Sequence, residues 1–339
     1  MSMQNKSVLA VIGGGRWGQV ILSILASISI PFDYVVIVSK FNEEDIHSKL
    51  KEWEKSSATC FEVVPSIEDL FAQYSVTAAI VVNAAQQHFD TALQLINQGI
   101  HVLIEKPIVL LTEQMNILIA KAHEKKVCIL PGLCYRFSSY LDNFAKIIPT
   151  KGTPSSFAIH WHDMSHEIRY GQLKKHDTTI DVAQDVMPHI WSILSKIFCQ
   201  PIVDIRALAY EMTEDYAAFQ VSLSDITGHV ILKRNAPFRE RSICVEFNKN
   251  KFLKIDFSAE PGNIFWEANS FPADKDWQQK PSPLTQQLNY FFSYLKTGAF
   301  TQEEIDACIS SVTWSKSASM LLQKTKINFM HDIEPSDLH

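Results

Sequence analysis

A run of glycines near the start of the chain has the spacing of a loop that binds a dinucleotide. It follows the apolar run Val8–Ile12 and fits the pattern G-x-G-x-x-G. In that pattern the first glycine permits a tight turn, the second lets a pyrophosphate approach the backbone, and the third lets the helix pack on the strand. The helix that begins there would offer free N–H groups to the phosphates. We therefore predict that the loop binds a dinucleotide cofactor through Gly13, Gly15, Arg16, Trp17 and Gly18.

The residues after the second predicted strand bear on which dinucleotide binds. An acidic side chain usually stands there and holds the ribose hydroxyls of NAD, but this chain has Ser39 and Lys40. The hydroxyl group of Ser39 can hydrogen-bond a phosphate, and the ammonium of Lys40 can pair with it as a point charge. Both side chains tolerate the 2′-phosphate of NADP better than a carboxylate would. The sequence therefore favours NADP, with NAD as the alternative.

Glu105, Lys106 and Pro107 directly follow the fourth predicted strand. A strand end places Lys106 at the carboxyl edge of the sheet, where ligands bind in open α/β folds. Pro107 disfavours the helical region for the residue before it, so it keeps Lys106 extended. Lys106 could then reach a hydroxyl or carbonyl oxygen of a substrate.

At this tripeptide the sequence resembles the glucose–fructose oxidoreductase/inositol dehydrogenase (Gfo/Idh/MocA) family, whose members carry E-K-P at this place in the fold. The resemblance extends to residues 130–137, which end in R-F, to the pattern D-x-x-x-H over 185–189, and to 292–298 with Asp306 beyond. The chain departs from the family before His88, where many members have a T-P dipeptide, and at 178–181, where many have glycines. The resemblance implies cofactor contacts from Asn83, His88, Glu105 and Lys106.

Asp185 and His189 are four residues apart, so they share a face if they lie on a helix. With Asp185 as the N-cap, Pro188 falls in the first turn, where proline is tolerated. A carboxylate and an imidazole at a helix mouth could bind sugar hydroxyls and exchange a proton near neutral pH. The alternative is that Asp185 only caps the helix and His189 packs. With the family resemblance, we predict Lys106, His189 and Asp185 as the catalytic residues.

Several histidines lie between residues 160 and 189. His160 and His162 share one face of a predicted strand because side chains alternate. Together with Asp163 they could bind zinc, but the chemistry of the family needs no metal, and we expect a polar floor for the substrate instead. The predicted substrate contacts are Arg136, His162, Tyr170 and His176, and we predict no metal site.

The order of the predicted elements indicates two domains. Up to about residue 130, short apolar runs alternate with amphipathic stretches, which is typical of a doubly wound parallel sheet. Beyond residue 150, strand-like runs follow one another with short turns, which indicates an antiparallel meander. The predicted strands of the first part are Val8–Ile12, Tyr34–Val38, 79–82, 102–104 and 127–130. The second part has predicted strands over 156–162, 203–210, 217–223, 228–234, 242–247 and 252–257, and helices over 186–197, 285–296 and 303–324.

The fold class is therefore α/β, with an N-terminal Rossmann domain built on a parallel sheet and a C-terminal α+β domain with an open, mostly antiparallel sheet. We place the first domain at 1–130, the second at 131–330 and a tail at 331–339, and the last helices could pack back on the first domain. The predicted strand 217–223 has apolar residues on both faces. We expect the free face of its sheet to pair with another subunit in a homodimer or homotetramer.

Composition excludes several classes of protein. The 339 residues are 46% hydrophobic and carry a net charge of −6, which excludes a disordered chain and argues against a nucleic-acid partner. No apolar run approaches the roughly 20 residues of a membrane helix, so we expect no membrane partner. The six cysteines include no C-x-x-C pair, which favours the reducing cytoplasm and argues against a zinc or redox site.

These observations predict an oxidoreductase that transfers a hydride between a nicotinamide dinucleotide and a carbon bearing a hydroxyl or carbonyl group. The substrate class implied by the family is a sugar, a cyclitol or a related small polyol. Two alternatives stay open: a reductase of imines or enamines on the same scaffold, and a regulator that binds NADP without turnover.

Overall fold

The computed structural model describes residues 6–41, 43–166, 168–169, 172–173, 176–209, 211–248, 251–297 and 300–332. Tyr170 and residues 333–339, on which two of the predictions fall, lie outside this set. Contacts divide the chain into two compact units. The first is the chain up to Gly132 together with Gln287–Val312, and the second is Leu133–Gln286 together with the chain from Thr313.

The first unit is built on a six-stranded parallel sheet. Its elements are β1 (Val8–Ile12), α1 (Arg16–Ser27), β2 (Tyr34–Val38), α2 (Glu43–Ser56), β3 (Cys60–Val64), α3 (Ile67–Gln73), β4 (Val76–Val81), α4 (His88–Asn97), β5 (His101–Glu105), α5 (Thr112–Lys125) and β6 (Ile129–Gly132). A 3₁₀ turn, Ala85–Gln87, precedes α4. The strand order is β3-β2-β1-β4-β5-β6, so the order reverses between β1 and β4. Ligands bind at the carboxyl ends of the strands beside such a reversal.

The inner strands of this sheet are covered on both faces, as their near-continuous apolar sequences predict. All five residues of β1 are buried. Two elements, α2 and β3, had not been predicted. Helix α2 is rich in charged residues and buries Ile46 and Trp53, while β3 starts at the exposed Cys60. Strand β3 lies at the edge of the sheet and α2 precedes it. An edge strand and its helix bury less apolar surface, which explains why the sequences of both elements have weak apolar patterns.

The second unit contains an eight-stranded sheet and its own helices. Its elements are α6 (Ser139–Lys151), β7 (Pro154–Met164), β8 (Ile168–Arg169), β9 (Gln172–Leu173), α7 (Val182–Phe198), β10 (Ile202–Ala207), β11 (Tyr216–Leu223), β12 (Thr227–Ala236), β13 (Glu240–Phe247), β14 (Lys251–Asp256), β15 (Asn263–Trp266) and β16 (Asn269–Pro272). Two 3₁₀ turns, Cys134–Phe137 and Trp277–Gln279, flank these elements, and α8 (Pro283–Thr297) and α9 (Gln302–Asp332) close the chain.

The eight strands run in the order β10-β11-β12-β7-β13-β14-β15-β16, and β8 pairs with β9 in a separate hairpin. The mostly antiparallel sheet is confirmed, but the simple meander is wrong. Strand β7 lies between β12 and β13 and runs parallel to β12. Short turns in the sequence predict hairpins between consecutive strands. They do not predict that an early strand such as β7 is inserted between two later strands.

Side chains of β7 alternate between the two faces of this sheet. Phe157, Ile159 and Trp161 enter the core of the second unit, whereas His160 and His162 occupy the other face, as predicted. On β11 that other face carries Tyr216, Ala218, Gln220 and Ser222, while Ala217, Phe219, Val221 and Leu223 enter the core. The exposed Phe252 and Phe265 lie on the same face of the sheet as His160 and His162, and pairing of this face with a second copy stays a prediction.

A buried ion pair joins β7 to β13. The guanidinium of Arg241 donates to the carboxylate of Asp163, and the two side chains are 2% and 4% exposed. Arg241 also donates to the carbonyl oxygen of His162 at 2.6 Å, and its guanidinium carbon lies 3.7 Å from the ring centroid of Trp161. These contacts fix the end of β7.

Within the part of the chain that the structure covers, every helix is too short or too polar to cross a membrane.

Replacing Asp163 by alanine would leave the guanidinium of Arg241 buried without its carboxylate. We expect the free energy of unfolding to fall by about 3–5 kcal/mol, measured by urea denaturation. The double variant Asp163→Leu with Arg241→Met removes both charges and should recover most of this loss. Glu267→Ala, which breaks the exposed pair with Lys251, is the control and should leave the midpoint unchanged. If Asp163→Ala is as stable as the control variant, the result contradicts a stabilising role for the buried pair of Asp163 and Arg241.

Candidate nucleotide and substrate sites

Gly13 and Gly18 of the first loop lie in close contact with neighbouring backbone, whereas Gly15 borders open space. Gly13 has a φ of +126°, and a Cβ there would lie 2.7 Å from the backbone nitrogen of Asn83. A Cβ on Gly18 would lie 1.9 Å from the carbonyl oxygen of Gly13, so the start of α1 touches the loop directly. A Cβ on Gly15 would meet nothing within 4 Å. Gly13 and Gly18 are thus required by packing, and Gly15 borders an open space.

This space lies at the N-terminus of α1, for which Gly15 is the N-cap. The first turn of α1 contains no acidic residue, and its free N–H groups carry a partial positive charge. An open backbone surface in front of a helix N-terminus accommodates a pyrophosphate. The residues present therefore fit a dinucleotide.

The residues after β2 differ in exposure. Ser39 is buried, and its Oγ would lie 2.3 Å from a Cβ on Gly14, so the hydroxyl packs directly under the glycine loop. Lys40 is exposed, with its ammonium nitrogen 5.6 Å from the ring centroid of Phe41. Asp45 on α2 accepts a hydrogen bond from Gln19 at 2.6 Å. This carboxylate is thus engaged by a side chain of α1.

His88 joins the loop after β4 to the loop after β5. Its side chain is buried, with Nδ1 2.8 Å from the carbonyl oxygen of Pro107 and Nε2 3.1 Å from that of Asn83. The amide of Asn83 in turn donates to Thr91 at 2.9 Å. The structure therefore brings Asn83 and His88 together beside the segment that contains Lys106. Both ring nitrogens of His88 face backbone carbonyl oxygens, so the side chain connects the two loops, and its contact with a cofactor stays a prediction.

Glu105 lies at the end of β5 and is 6% exposed. It accepts hydrogen bonds from the indole of Trp17 and from the backbone N–H of Lys106, the latter at 3.2 Å. Burial raises the pKa of the Glu105 carboxyl, against the opposing effects of Trp17 and Lys106. Lys106 is half-buried, directly beyond the strand end. The glycine loop and the E-K-P segment, far apart in sequence, are thus joined through Trp17.

In the second unit, α7 begins at Val182, with Asp181 as its N-cap. The Asp181 side chain accepts from the backbone N–H of Gln184, and the Gln184 side chain accepts from that of Asp181. The prediction of Asp185 as the N-cap is therefore wrong, and Pro188 lies inside the helix. Proline has no N–H for the carbonyl of Gln184 four residues earlier, and this oxygen accepts instead from Ser315 Oγ at 3.3 Å.

Asp185 pairs with Arg234 of β12 at 3.1 Å. The Arg234 side chain is 3% exposed and also donates to the carbonyl oxygens of Ile180 at 2.9 Å and Asp181 at 3.2 Å. Arg234 thus anchors the start of α7 to the sheet. No short sequence pattern indicates this residue, because its three acceptors lie 49 to 54 positions earlier in the chain.

The imidazole of His189 packs among aromatic rings. It stacks on Trp161 with centroids 5.3 Å apart and an interplanar angle of 25°, and it meets Tyr135 edge-on at 5.0 Å. Trp161 itself belongs to the core of the second unit. These contacts set the plane of the imidazole. The catalytic roles of His189 and Asp185 stay predictions.

His162 and His160 flank one carboxylate on the other face of the sheet. Their Nδ1 atoms lie 3.1 and 3.2 Å from the two oxygens of Glu240, and their rings stack with centroids 5.8 Å apart. Burial lowers the pKa of His162, while Glu240 acts in the opposite sense. Asp163 lies on the opposite side of β7, paired with Arg241, so it does not join the two histidines.

The other predicted substrate contacts belong to different segments of the second unit. Arg136 lies in the 3₁₀ turn Cys134–Phe137, and its carbonyl oxygen accepts from Lys196 Nζ at 2.8 Å. His176 is half-buried shortly before α7, and Tyr170 lies outside the described residues. Among the residues that the structure does describe, no three His, Cys, Asp or Glu side chains are arranged to hold a metal ion.

Comparisons with known proteins agree with this architecture. Residues 8–133 match the model of an oxidoreductase family with an NAD-binding Rossmann fold, named GFO_IDH_MocA. This match confirms, over residues 8–133, the resemblance that the glycine loop and the E-K-P segment indicated. A UDP-N-acetylglucosamine 3-dehydrogenase of Acidithiobacillus ferrooxidans is 28% identical over 199 residues, which span 57% of this chain and 59% of that relative.

Solved structures share the fold over 93–96% of the chain. The structure of the Acidithiobacillus ferrooxidans enzyme matches with a TM-score of 0.71 at 20% identity, over 96% of this chain and 99% of that one. GenD2 from gentamicin A biosynthesis, in complex with NAD, gives 0.72 at 18% over 95% and 96%. A mutant of KijD10, a 3-ketoreductase from Actinomadura kijaniata in complex with TDP-benzene and NADP, gives 0.70 at 13% over 93% and 98%.

Gly15→Ala and Gly18→Ala separate cofactor binding from folding. A methyl group on Gly15 enters open space, so we expect a folded protein whose affinity for NADPH falls by about tenfold or more, a loss of about 1.4 kcal/mol. A methyl group on Gly18 clashes with the backbone of Gly13, so that variant should lose thermal stability. Fluorescence titration with NADPH and thermal denaturation measure the two effects. Wild-type affinity in folded Gly15→Ala would exclude the loop as the pyrophosphate site.

Proposed function

We propose that this chain, whose residues 8–133 belong to the Gfo/Idh/MocA oxidoreductase family, transfers a hydride between a nicotinamide dinucleotide and a carbon bearing a hydroxyl or carbonyl group. The observation that carries the proposal is the open glycine loop at the reversal of a parallel sheet, tied through Trp17 and Glu105 to the segment that presents Lys106. The loop would hold the dinucleotide, and Lys106 would act at its reactive end.

Residues of the first unit would bind and orient the cofactor. The backbone around Gly13, Gly15 and Gly18, with Arg16 beside it, would bind the pyrophosphate at the start of α1. Asn83, held by Thr91 and His88, would line the cofactor beyond the end of β4. When bound, the nicotinamide would supply or accept the hydride.

Lys106 would hydrogen-bond the substrate oxygen, and His189 would exchange its proton. An ammonium at the end of β5 can donate a hydrogen bond to a carbonyl or alkoxide oxygen and so favour the charge that develops there. The imidazole of His189 can take or return the hydroxyl proton near neutral pH. Asp185 is bound to Arg234, so its proposed contribution is to hold the turn of α7 that precedes His189.

The proposed substrate is a sugar, a cyclitol or a related small polyol. The names of two proteins of similar fold, a UDP-N-acetylglucosamine 3-dehydrogenase and a myo-inositol 2-dehydrogenase, describe chemistry on sugar and cyclitol carbons. The predicted contacts Arg136, His162 and His176 supply cationic and imidazole groups that suit hydroxyls. A reductase of imines or enamines is the second candidate, and the bulkier stretch 178–181 before α7 favours keeping it.

NADP is the proposed cofactor, although proteins of this fold bind NAD or NADP. Buried Ser39 and exposed Lys40 offer a hydroxyl group and a cation after β2, and Asp45 is engaged by Gln19. We further propose a homo-oligomer formed through the sheet of the second unit. All six cysteines are free, which supports a reducing compartment such as the cytoplasm.

Lys106→Ala should retain NADPH binding and lose turnover by about 10²-fold or more, because it removes the group that acts on the substrate oxygen. Oxidation of NADPH across a panel of keto-sugars, cyclitol ketones and cyclic imines measures turnover and identifies the substrate class. Lys125→Ala, on the exposed end of α5, is the control and should match the wild type. Full turnover by Lys106→Ala would defeat the assignment.

Lys40→Ala should weaken NADPH binding by about tenfold, since it removes one cation from the 2′-phosphate, and should leave NADH binding within about twofold. Titration of both cofactors gives the ratio directly. Lys49→Ala serves as the control, because Lys49 contacts Asp45 and Gln19 on the same helix pair. Equal losses for the two cofactors would assign Lys40 no part in the choice between them.

A further inference from the structure

Glu105 is a buried titratable group to which the proposed reaction assigns no chemical step. Its side chain is enclosed by β6, where a Cβ on Gly132 would lie 2.6 Å from the Glu105 Cα and 3.0 Å from its carboxyl carbon. Water therefore has no room on that side. A carboxylate in such a place is costly unless a cation or several donors compensate it.

The described donors to this carboxyl group are the indole of Trp17, the side-chain amide of Gln287 and the backbone N–H of Lys106. Lys106 is the charged group that faces it. Trp17 from α1, Gln287 from α8 and Gly132 from β6 carry no charge. Neutral groups thus surround Glu105 on three elements.

Gln287 supplies the second observation. Its side chain is fully buried, its amide lies beside the Glu105 carboxyl group, and neither amide atom has another hydrogen-bond partner among the described residues. A buried amide oxygen without a donor costs free energy. A carboxylate can only accept, whereas a carboxylic acid can donate one O–H. Protonation of Glu105 would satisfy the Gln287 oxygen and remove the buried charge together.

We propose that Glu105 is an uncharged carboxylic acid that donates its O–H to the amide oxygen of Gln287, and that this acid–amide pair positions the backbone of Lys106. The second oxygen of the acid accepts from Trp17 and from the Lys106 N–H. The pKa of Glu105, raised by burial, agrees with this arrangement. The part concerning Lys106 rests on the proposed function.

The pair has a consequence for the reaction. An ionised Glu105 would form an ion pair with the adjacent ammonium and draw Lys106 away from a substrate oxygen. An uncharged Glu105 removes that competition and still fixes the backbone of Lys106 through the N–H bond. Glu105 and Gln287 are thus positioning residues, and Lys106 is the group that touches substrate.

Isotope-edited infrared spectroscopy of the cofactor-free protein with ¹³C-labelled glutamate tests the protonation directly. At pH 7 we expect the carbonyl band of a protonated carboxyl group, which disappears in Glu105→Gln and shifts in Gln287→Leu. Glu124→Gln is the control, because Glu124 is exposed and paired with Lys121, and it should leave the band unchanged. A spectrum without the band, or a band that survives Glu105→Gln, would overturn the proposal.

The pH dependence of stability gives a second measurement. A folded-state pKa above the ordinary 4.5 means that the native state binds more protons than the unfolded state in this range. The contribution of Glu105 to the free energy of unfolding is then full below pH 4.5 and is lost as the pH rises through the folded pKa. The stability of the wild type minus that of Glu105→Gln should therefore fall above pH 4.5. A rise would show an ionised, stabilised carboxylate.

Turnover separates this proposal from the proposed function. Gln287→Leu should lower kcat with an unchanged KM for NADPH, because only the positioning of Lys106 is lost. If the protein shows the acid band but oxidises no NADPH, the acid–amide pair is supported and the proposed function is contradicted. If the protein is active but lacks the band, the proposed function is supported and the acid–amide pair is contradicted.

Discussion

The candidate cofactor site depends on close contacts between backbone segments at the carboxyl edge of the parallel sheet, where glycines leave no side chain in between. Gly13 lies against the backbone of Val82 and Asn83, Gly18 against the carbonyl of Gly13, and Gly132 against Glu105. Any side chain at these points would separate the loop, the helix and the strands. The same closeness that excludes side chains creates the exposed N-terminus of α1 and the buried carboxyl group beside it.

Local patterns were enough to predict this part of the molecule. The glycine loop is contiguous with the helix that follows it, and the E-K-P segment directly follows a predicted strand, so each short pattern reports its own local geometry. The start of α7 was misread although its signal was present: Asp181 and Gln184 form a capping box three residues apart. Pro188 favours a helix start at Asp185, because proline is better tolerated in the first turn than inside a helix.

The contacts that sequence reasoning missed are those between distant strands. Arg234 and Arg241 each bind acceptors far earlier in the chain, and Glu240 meets His160 and His162 across the sheet. Their positions depend on β7 pairing with β12 and β13, a register that no short motif encodes. The buried guanidinium groups have a shared effect: one fixes the start of α7 and the other fixes the end of β7, so the ring contacts of His189 with Trp161 rest on both.

Lys106 is held by its two neighbours, and this bears on how a flexible side chain can act at a defined place. Before it, Glu105 is fixed by Trp17 and by burial against Gly132. After it, the carbonyl of Pro107 lies 2.8 Å from the ring of His88, which also reaches the carbonyl of Asn83. Lysine side chains lose considerable rotamer entropy when they are ordered. A backbone fixed on both sides limits that loss to the side chain itself, so the ammonium can be positioned by a substrate without reorganising the strand end.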